Sequence, residues 1–383
     1  MVNKFFSIPA DFRMETLDML ADINCQYPLA KVSECYGQVT NNYIRASGRD
    51  VSTLPEVDMR TLEAYVAYCN KVGIVFNYTL NPSCMGNLEF TSTGRKYFSN
   101  FLIDLHSIGI SDLTIALPSL FELVDMAPVK FNVKASAICE IDTPYKVWYY
   151  RKLGAKRVVL DPDTYRDFEV LGDIAGTDDG ELEVIVNNVC RRHCPYKHFH
   201  YSHDSHTADR DGAIVDFYVN RCHIQKSGEF TTTMKLNWIR PEDLDLYTDL
   251  SIRYFKIQGR QNILGADIKQ VLDAYMSGSF DGNLFDLITL FSPYNAFQIT
   301  IDNKRLEGFA DKFADKTIRC RDRCAECGHC HIYAMKAINA DEANKKNKQC
   351  LSFYTHYDSF KNAGYPSQPE MVRHDFNWGD MYD

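Results

Sequence analysis

The sequence predicts an α/β chain folded as a (β/α)8 TIM-like barrel, followed by a cysteine-rich C-terminal extension. Two observations carry this. Short apolar, β-branched runs alternate with amphipathic stretches up to about residue 260, the rhythm of parallel strands with helical crossovers. Eight such runs fit into that length, which matches an eight-unit barrel better than the alternative, a doubly wound open sheet. Past residue 260 the alternation stops and cysteines crowd together, which marks the extension.

In chain order, the strand candidates are Leu29–Ser33, Ile74–Leu80, Leu113–Leu117, Phe131–Ala137, Arg157–Leu160, Leu182–Val186, Met234–Ile239 and Tyr254–Ile257. Thr61–Val72, Gly94–Ile108 and Tyr145–Leu153 are amphipathic and read as crossover helices. Asn262–Met276 reads as a closing helix and Ser277–Gly282 as a linker, so the expected units are a barrel over 1–276 and an extension over 277–383. Barrel enzymes keep their chemistry at the C-terminal ends of the strands. Here those ends carry Glu34, Asn77, Asn81, Lys134, Ser136, Asp161, Asn187, Asn188, Arg240, Lys256 and Arg260. Asp161-Pro162-Asp163 reads as a turn rather than a catalytic carboxylate pair.

The sixth run is the most informative stretch. Val184-Ile185-Val186 ends in Asn187-Asn188, and Cys190 and Cys194 follow four residues apart, where a helical turn would set both sulfurs on one face. Arg191, Arg192, His193 and Lys197 make this segment too polar for a core, so a shared soft metal or cluster is favoured over two packed thiols. A long loop is expected from residue 189 to about 233. It contains His198, His200, His203 and His206, whose spacing fits no zinc finger, and then Cys222, a plausible third sulfur. The extension holds the second thiol run, Cys320, Cys324, Cys327 and Cys330, with gaps of three, two and two residues. A bacterial ferredoxin run has the same gaps in reverse, and a four-cysteine zinc knot is also built this way, so a 4Fe-4S cluster and zinc both remain open for the tail. Cys25, Cys69, Cys84, Cys139 and Cys350 stand alone and read as packed or idle thiols.

Composition narrows the function. Thirteen clustered cysteines in a 383-residue chain argue for metal or redox chemistry over a disulfide framework. The net charge of −9 gives no general footprint for nucleic acid, although Arg321, Arg323 and the lysines at 345, 346 and 348 offer a local basic contact. The first residues lack the apolar run of a secretory signal and no stretch is long enough to span a membrane, so a soluble cytoplasmic protein is expected. There is no phosphate-cradling glycine loop, no His-Glu-x-x-His helix and no nucleophile elbow.

Four stretches together resemble the collagenase-like peptidase family, family U-thirty-two of the peptidase classification. They are Glu34-Cys35-Tyr36-Gly37 with Gly48-Arg49; Asn188-Val189-Cys190 with Cys194-Pro195 and His200; Cys222; and Ile239–Leu244 leading into Tyr254-Phe255-Lys256-Ile257-Gln258-Gly259-Arg260. The likeness covers most of residues 1–260. Despite the family's name, its better understood members resemble oxygen-independent hydroxylases. These hold a 4Fe-4S cluster on four barrel cysteines and act on an RNA base or a quinone precursor, some with prephenate as oxygen donor.

The resemblance assigns Cys190, Cys194 and Cys222 to three cluster ligands, with a shorter gap between the first two than in those members. No cysteine of this chain matches the remaining ligand. A tail cysteine, Cys35, a histidine or a substrate atom are the options, or an iron left open to substrate. One or two clusters are therefore expected. Arg49, Lys256 and Arg260 would take the carboxylate of an acidic, prephenate-like molecule, since arginine forks suit carboxylates. Asn188 and His200 would orient substrate or move a proton. The substrate is then an RNA base or a small molecule. Two other functions stay in play: a cysteine- or metal-dependent peptidase, and a non-catalytic, metal-stabilised subunit of a homologous partner.

Overall fold

Runs rich in Val, Ile, Phe and Tyr form the strands, and their alternate residues face inward and outward. The computed structural model describes residues 2–40, 47–206, 217–292, 299–320 and 323–356. Within them lie β1 (Lys4–Pro9), β2 (Ala30–Gly37), β3 (Val75–Leu80), β4 (Asp112–Ile115), β5 (Asn132–Ala135), β6 (Ala155–Val159), β7 (Glu181–Ile185), β8 (Asn187–Arg191), β9 (Leu236–Trp238) and β10 (Tyr254–Lys256). Eight of these close into a parallel barrel in the order β1-β10-β7-β6-β5-β4-β3-β2, as the sequence predicts. β1 and β10 complete the ring, with Ser7 opposite Lys256.

The eight strands are not quite the eight expected. Lys4–Pro9 is the first barrel strand, which the candidate runs do not include and which ends in a proline. Met234–Ile239 is not a barrel strand. Its residues Leu236–Trp238 pair antiparallel with β8 in a separate two-stranded sheet above the barrel. The expected loop over 189–233 is also more structured than predicted, since helices Lys197–His206 and Phe217–Lys226 occupy much of its described part. Its residues 207–216, like Arg321 and the tail from 357 on, lie outside the described residues.

Local chemistry explains the helices. Met59–Val72 buries Leu62, Tyr65, Val66 and Cys69, a stripe with helical spacing. Asp58 accepts from Thr61 N at its start (2.7 Å), and Gly73 ends it at φ 73°. The closing helix runs over Ile268–Ser277, because residues 260–265 form a 3-10 turn instead. Beyond it, Leu284, Leu287, Ile301, Leu306, Phe309 and Phe313 join the same continuous apolar core as the barrel helices. Arg240 ties the two parts polar-side, donating to Asn303 Oδ1 (3.0 Å) and Leu306 O (2.7 Å).

The barrel lumen is filled by a compensated charge layer. Lys134 on β5 bonds Glu34 on β2 and Glu183 on β7, the latter at 2.8 Å. Arg157 on β6 reaches the same two carboxylates at 3.1 and 3.2 Å. Ser7 also donates to Glu34, and Asn77 and Thr114 extend the network. Burial alone would raise the Glu34 carboxyl, but the ammonium and guanidinium beside it hold it at about 2.

Candidate functional site

β7 ends at Ile185, and after Val186, whose N–H donates to Lys256 O (2.9 Å), β8 carries Asn188 and Cys190. Asn188 folds back on its own strand, its Oδ1 accepting from Cys190 N at 2.8 Å. It therefore sets the position of the thiol. Cys190 lies on a strand rather than on a helical turn, and the chain then reverses through His193 at φ 48° to bring Cys194 back. Lys197 anchors this reversal. Its ammonium bonds both oxygens of Asp161 (2.9 and 2.8 Å) and Asp163 (2.7 Å) at the end of β6, and Asn237 on β9 donates to Asp163 (3.0 Å).

Helix Phe217–Lys226 brings Cys222 to the same place. Burial raises the Cys190 thiol; Lys226 and Arg49 pull it down, while Cys222 and Cys194 push it up. Lys226 is bonded to Cys222 and feels all three sulfurs. The three cysteines singled out in the sequence thus share one half-buried neighbourhood with two cations. Among the described residues, no three His, Cys, Asp or Glu side chains converge closely enough to hold a single metal ion. A multi-iron cluster is a larger body, with its ligands set around it, and cationic neighbours suit the thiolates it requires. In donor type and charge the trio fits such a cluster.

Arg49 and His200 meet on one carboxylate. Arg49 Nη1 pairs with Asp204 Oδ2 at 3.1 Å, and His200 Nε2 lies 3.5 Å from Asp204 Oδ1. His200 also stacks on Tyr218. These contacts dock helix Lys197–His206 onto the loop after β2.

Below this group, at the barrel mouth, Lys256 and Arg260 are buried without a carboxylate at ion-pair distance among the described residues. Lys256 Nζ sits 3.9 Å from the centre of the Tyr36 ring. Arg260 Nη1 donates to Gln38 Oε1 (2.6 Å) and Thr79 Oγ1 (2.7 Å), both neutral. Burial and then repulsion from Lys134 draw the Lys256 amine down to about 7, against weaker pull from Glu183 and Glu34. A cation–π contact gives back only about 2 kcal/mol even when desolvated, less than burial costs an ammonium. Burial likewise lowers Arg260 to about 10.

The tail quartet forms a second thiol group. Burial raises Cys330; Arg166 lowers it, and Cys320, Cys324 and Cys327 push it up, so all four are neighbours. Arg166 packs over Trp238, Phe309 and Phe313 and donates to Met234 O and Leu236 O at 2.6 Å each. Arg192 Nη2 reaches Cys320 O at 3.4 Å. Helix Ala340–His356 stacks Tyr354 on His223 at 4.3 Å, beside Cys222.

Cys35 is excluded from either group. It points away from the lumen into the core, bonded to Cys69 of helix Met59–Val72 near Tyr65, and is fully buried. In a strand, the side chain one residue from the inward-facing Glu34 and Tyr36 must face outward. Sequence reasoning missed Lys226 and Asp204. The signal for Lys226 was its place one helical turn after Cys222.

No family model matches the chain. It is similar to an uncharacterized protease of Methanocaldococcus jannaschii, 29% identical over 292 residues, which span 76% of this chain and 85% of that protein. Among solved structures it is similar to the U32 peptidase Mk0906, with 18% identity, a TM-score of 0.48, and coverage of 68% of this chain and 94% of that one.

Proposed function

Because the chain belongs to the collagenase-like (U32) peptidase family, we propose that it is an iron–sulfur redox enzyme of the oxygen-independent hydroxylase type. The carrying observation is the gathering of Cys190, Cys194 and Cys222 beside Lys226 and Arg49, directly over a barrel mouth with two unmatched buried cations. Cys190, Cys194 and Cys222 would hold a 4Fe-4S cluster, and Cys320, Cys324, Cys327 and Cys330 a second cluster or zinc. The cluster supplies electrons or a Lewis-acidic iron.

The chain's own residues do the rest. Lys197 and Asn188 fix the thiol loop. Arg260 receives the carboxylate of an acidic small molecule with Lys256 beside it, and their burial keeps competing water out. Asp204 orients His200, which titrates near neutrality when unperturbed and can pass a proton. The substrate is an RNA base or a small molecule, and the cytoplasm is the expected compartment. Among the described residues no helix is long and apolar enough to cross a membrane.

The test is purification without oxygen, with iron, sulfide and zinc measured per chain alongside the visible spectrum. About eight irons and broad absorption in the visible mean two four-iron clusters. About four leave one, which Cys190→Ser and Cys327→Ser then locate. Zinc alone in a colourless sample sinks the redox reading. The name of the Methanocaldococcus relative favours a second reading, a thiol- or metal-dependent peptidase. Peptide turnover without iron, blocked by alkylating Cys190, would establish it.

A further inference from the structure

The charges inside the barrel do not balance, and the excess sits at one level. Glu34 and Glu183 are matched by Lys134 and Arg157, and Arg157 also pairs with the part-exposed Glu181 at 2.8 Å. One layer toward the mouth, Lys256 and Arg260 add two more buried cationic groups; among the described residues their direct contacts are the neutral Tyr36, Gln38 and Thr79, while Glu183, Glu34 and Asp204 act on them only from beyond ion-pair distance. Two physical responses relieve such an excess: an amine loses its proton, or an anion binds. The pair is suited to do both. Arginine stays charged and offers a planar fork, whereas a buried lysine readily becomes a neutral nucleophile. Arg260 bonds through a single Nη1, and that to neutral oxygens, so its charge is left for a ligand. The Tyr36 ring holds Nζ from one side, and its hydroxyl is anchored on Ile257 O (2.8 Å), so the amine is positioned rather than swinging.

We propose that Lys256 is a nucleophilic amine which forms an imine with the carbonyl of a 2-oxo acid whose carboxylate is bound by Arg260. The Nζ lone pair attacks the carbonyl carbon and a C–N bond forms. The carbonyl oxygen leaves as water with the two amine protons, and the C–N bond becomes double. No oxidant or reductant is consumed. The groups that set the proton balance of Lys256 are Lys134 on β5, Glu183 on β7, Glu34 and Tyr36 on β2, and Arg260 beyond β10. This rests on the barrel mouth being the reaction site proposed above, but not on the cluster.

The probe is pyruvate, the smallest 2-oxo acid, with borohydride added to reduce any imine on the full-length protein at pH 7. The expected product is a protein heavier by pyruvic acid less one oxygen atom, mapped to Lys256. Its occupancy should exceed that of any other lysine by at least about tenfold, since an unperturbed lysine is almost wholly protonated at that pH. Acetaldehyde, which lacks the carboxylate, serves as the second probe. A folded Arg260→Gln protein should lose about tenfold in pyruvate labelling and keep its acetaldehyde labelling. Labelling confined to surface lysines overturns the proposal, and equal loss of both adducts in a folded Arg260→Gln protein overturns the carboxylate assignment. Competitive acetylation of wild type gives an independent check: a Lys256 midpoint near 7 supports the proposal, and one at the ordinary lysine value overturns it. Iron and sulfide measured on the same preparation separate the outcomes. An iron-bearing protein with unlabelled Lys256 sinks this inference alone, and a labelled protein without iron sinks the redox reading alone.

Discussion

Two layers of the same barrel treat charge in opposite ways. In the lumen, Glu34, Glu183, Lys134 and Arg157, with Glu181 at the edge, form a network in which each charge meets its opposite within 3.2 Å or less. One layer up, Lys256 and Arg260 are also buried, but among the described residues they touch a ring and neutral oxygens and have no carboxylate at ion-pair distance. The first layer is satisfied by the fold. The second is relieved by loss of the Lys256 proton or by an anion. Barrels commonly divide labour this way, with stability at one end and chemistry at the C-terminal mouth.

Substitution breaks the comparison most sharply. Lys134→Met should destabilise the protein by about 3–5 kcal/mol, because it leaves two buried carboxylates with Arg157 alone between them. Lys256→Met should cost less than about 1 kcal/mol, or stabilise, because it removes a buried amine that has no counter-ion. Urea unfolding of both variants at pH 7 measures the gap. Equal losses would mean that the two layers do the same structural job.

The pH dependence should separate the layers again, because stability rises with pH in two different windows. Glu34 is held at about 2, below its ordinary value of 4.5, so its contribution is complete above 4.5 and lost as pH falls toward 2. Glu34→Gln should flatten that acid limb. Lys256 is lowered from 10.5 to about 7, so between these values the unfolded chain binds a proton that the folded one does not. Wild type should therefore gain stability relative to Lys256→Met as pH rises from about 7 to 10.5, by up to about 1.4 kcal/mol per unit. Denaturant midpoints across that range read the slope directly.

How much of this was legible from the sequence follows the same division. The barrel and its helices rest on period-2 and period-3.6 patterns, which are local, and these were readable for seven of the eight strands. Lys4–Pro9 was not, since its apolar residues are interrupted by Ser7 and the run ends in a proline. Met234–Ile239 joins a different sheet because the alternation of Met234, Leu236 and Trp238 with polar residues marks a strand but not its partner. At the site, Cys190, Cys194, Cys222, Lys256 and Arg260 were visible through spacing and position at strand ends. Their partners were not: Asp204 with Arg49 and Glu34 with Lys134 lie 155 and 100 residues apart, and contacts of that kind leave no local trace.

The thiol loop offers a smaller test of how the mouth is held. Lys197→Met removes the cation from between Asp161 and Asp163 and should cost about 1–3 kcal/mol. If Lys197 positions the cysteines, iron bound by the anaerobically purified variant should fall while zinc or iron in the tail quartet stays constant. A uniform loss from both groups would instead mean general unfolding.

The smallest effect concerns the one thiol that the structure removes from the site. Cys35 and Cys69 touch in the core between β2 and helix Met59–Val72, both fully buried. Cys35→Ala should cost about 1 kcal/mol, the scale of deleting a small buried group. Metal content should not change, because the sulfur faces away from the lumen. Cys190→Ser should show the reverse pattern, with metal lost and stability of the metal-free protein nearly unchanged. The two substitutions delete the same atom type within one barrel, so any iron lost from Cys35→Ala would mean that the core thiol reaches the mouth and that the strand's inward–outward alternation fails there.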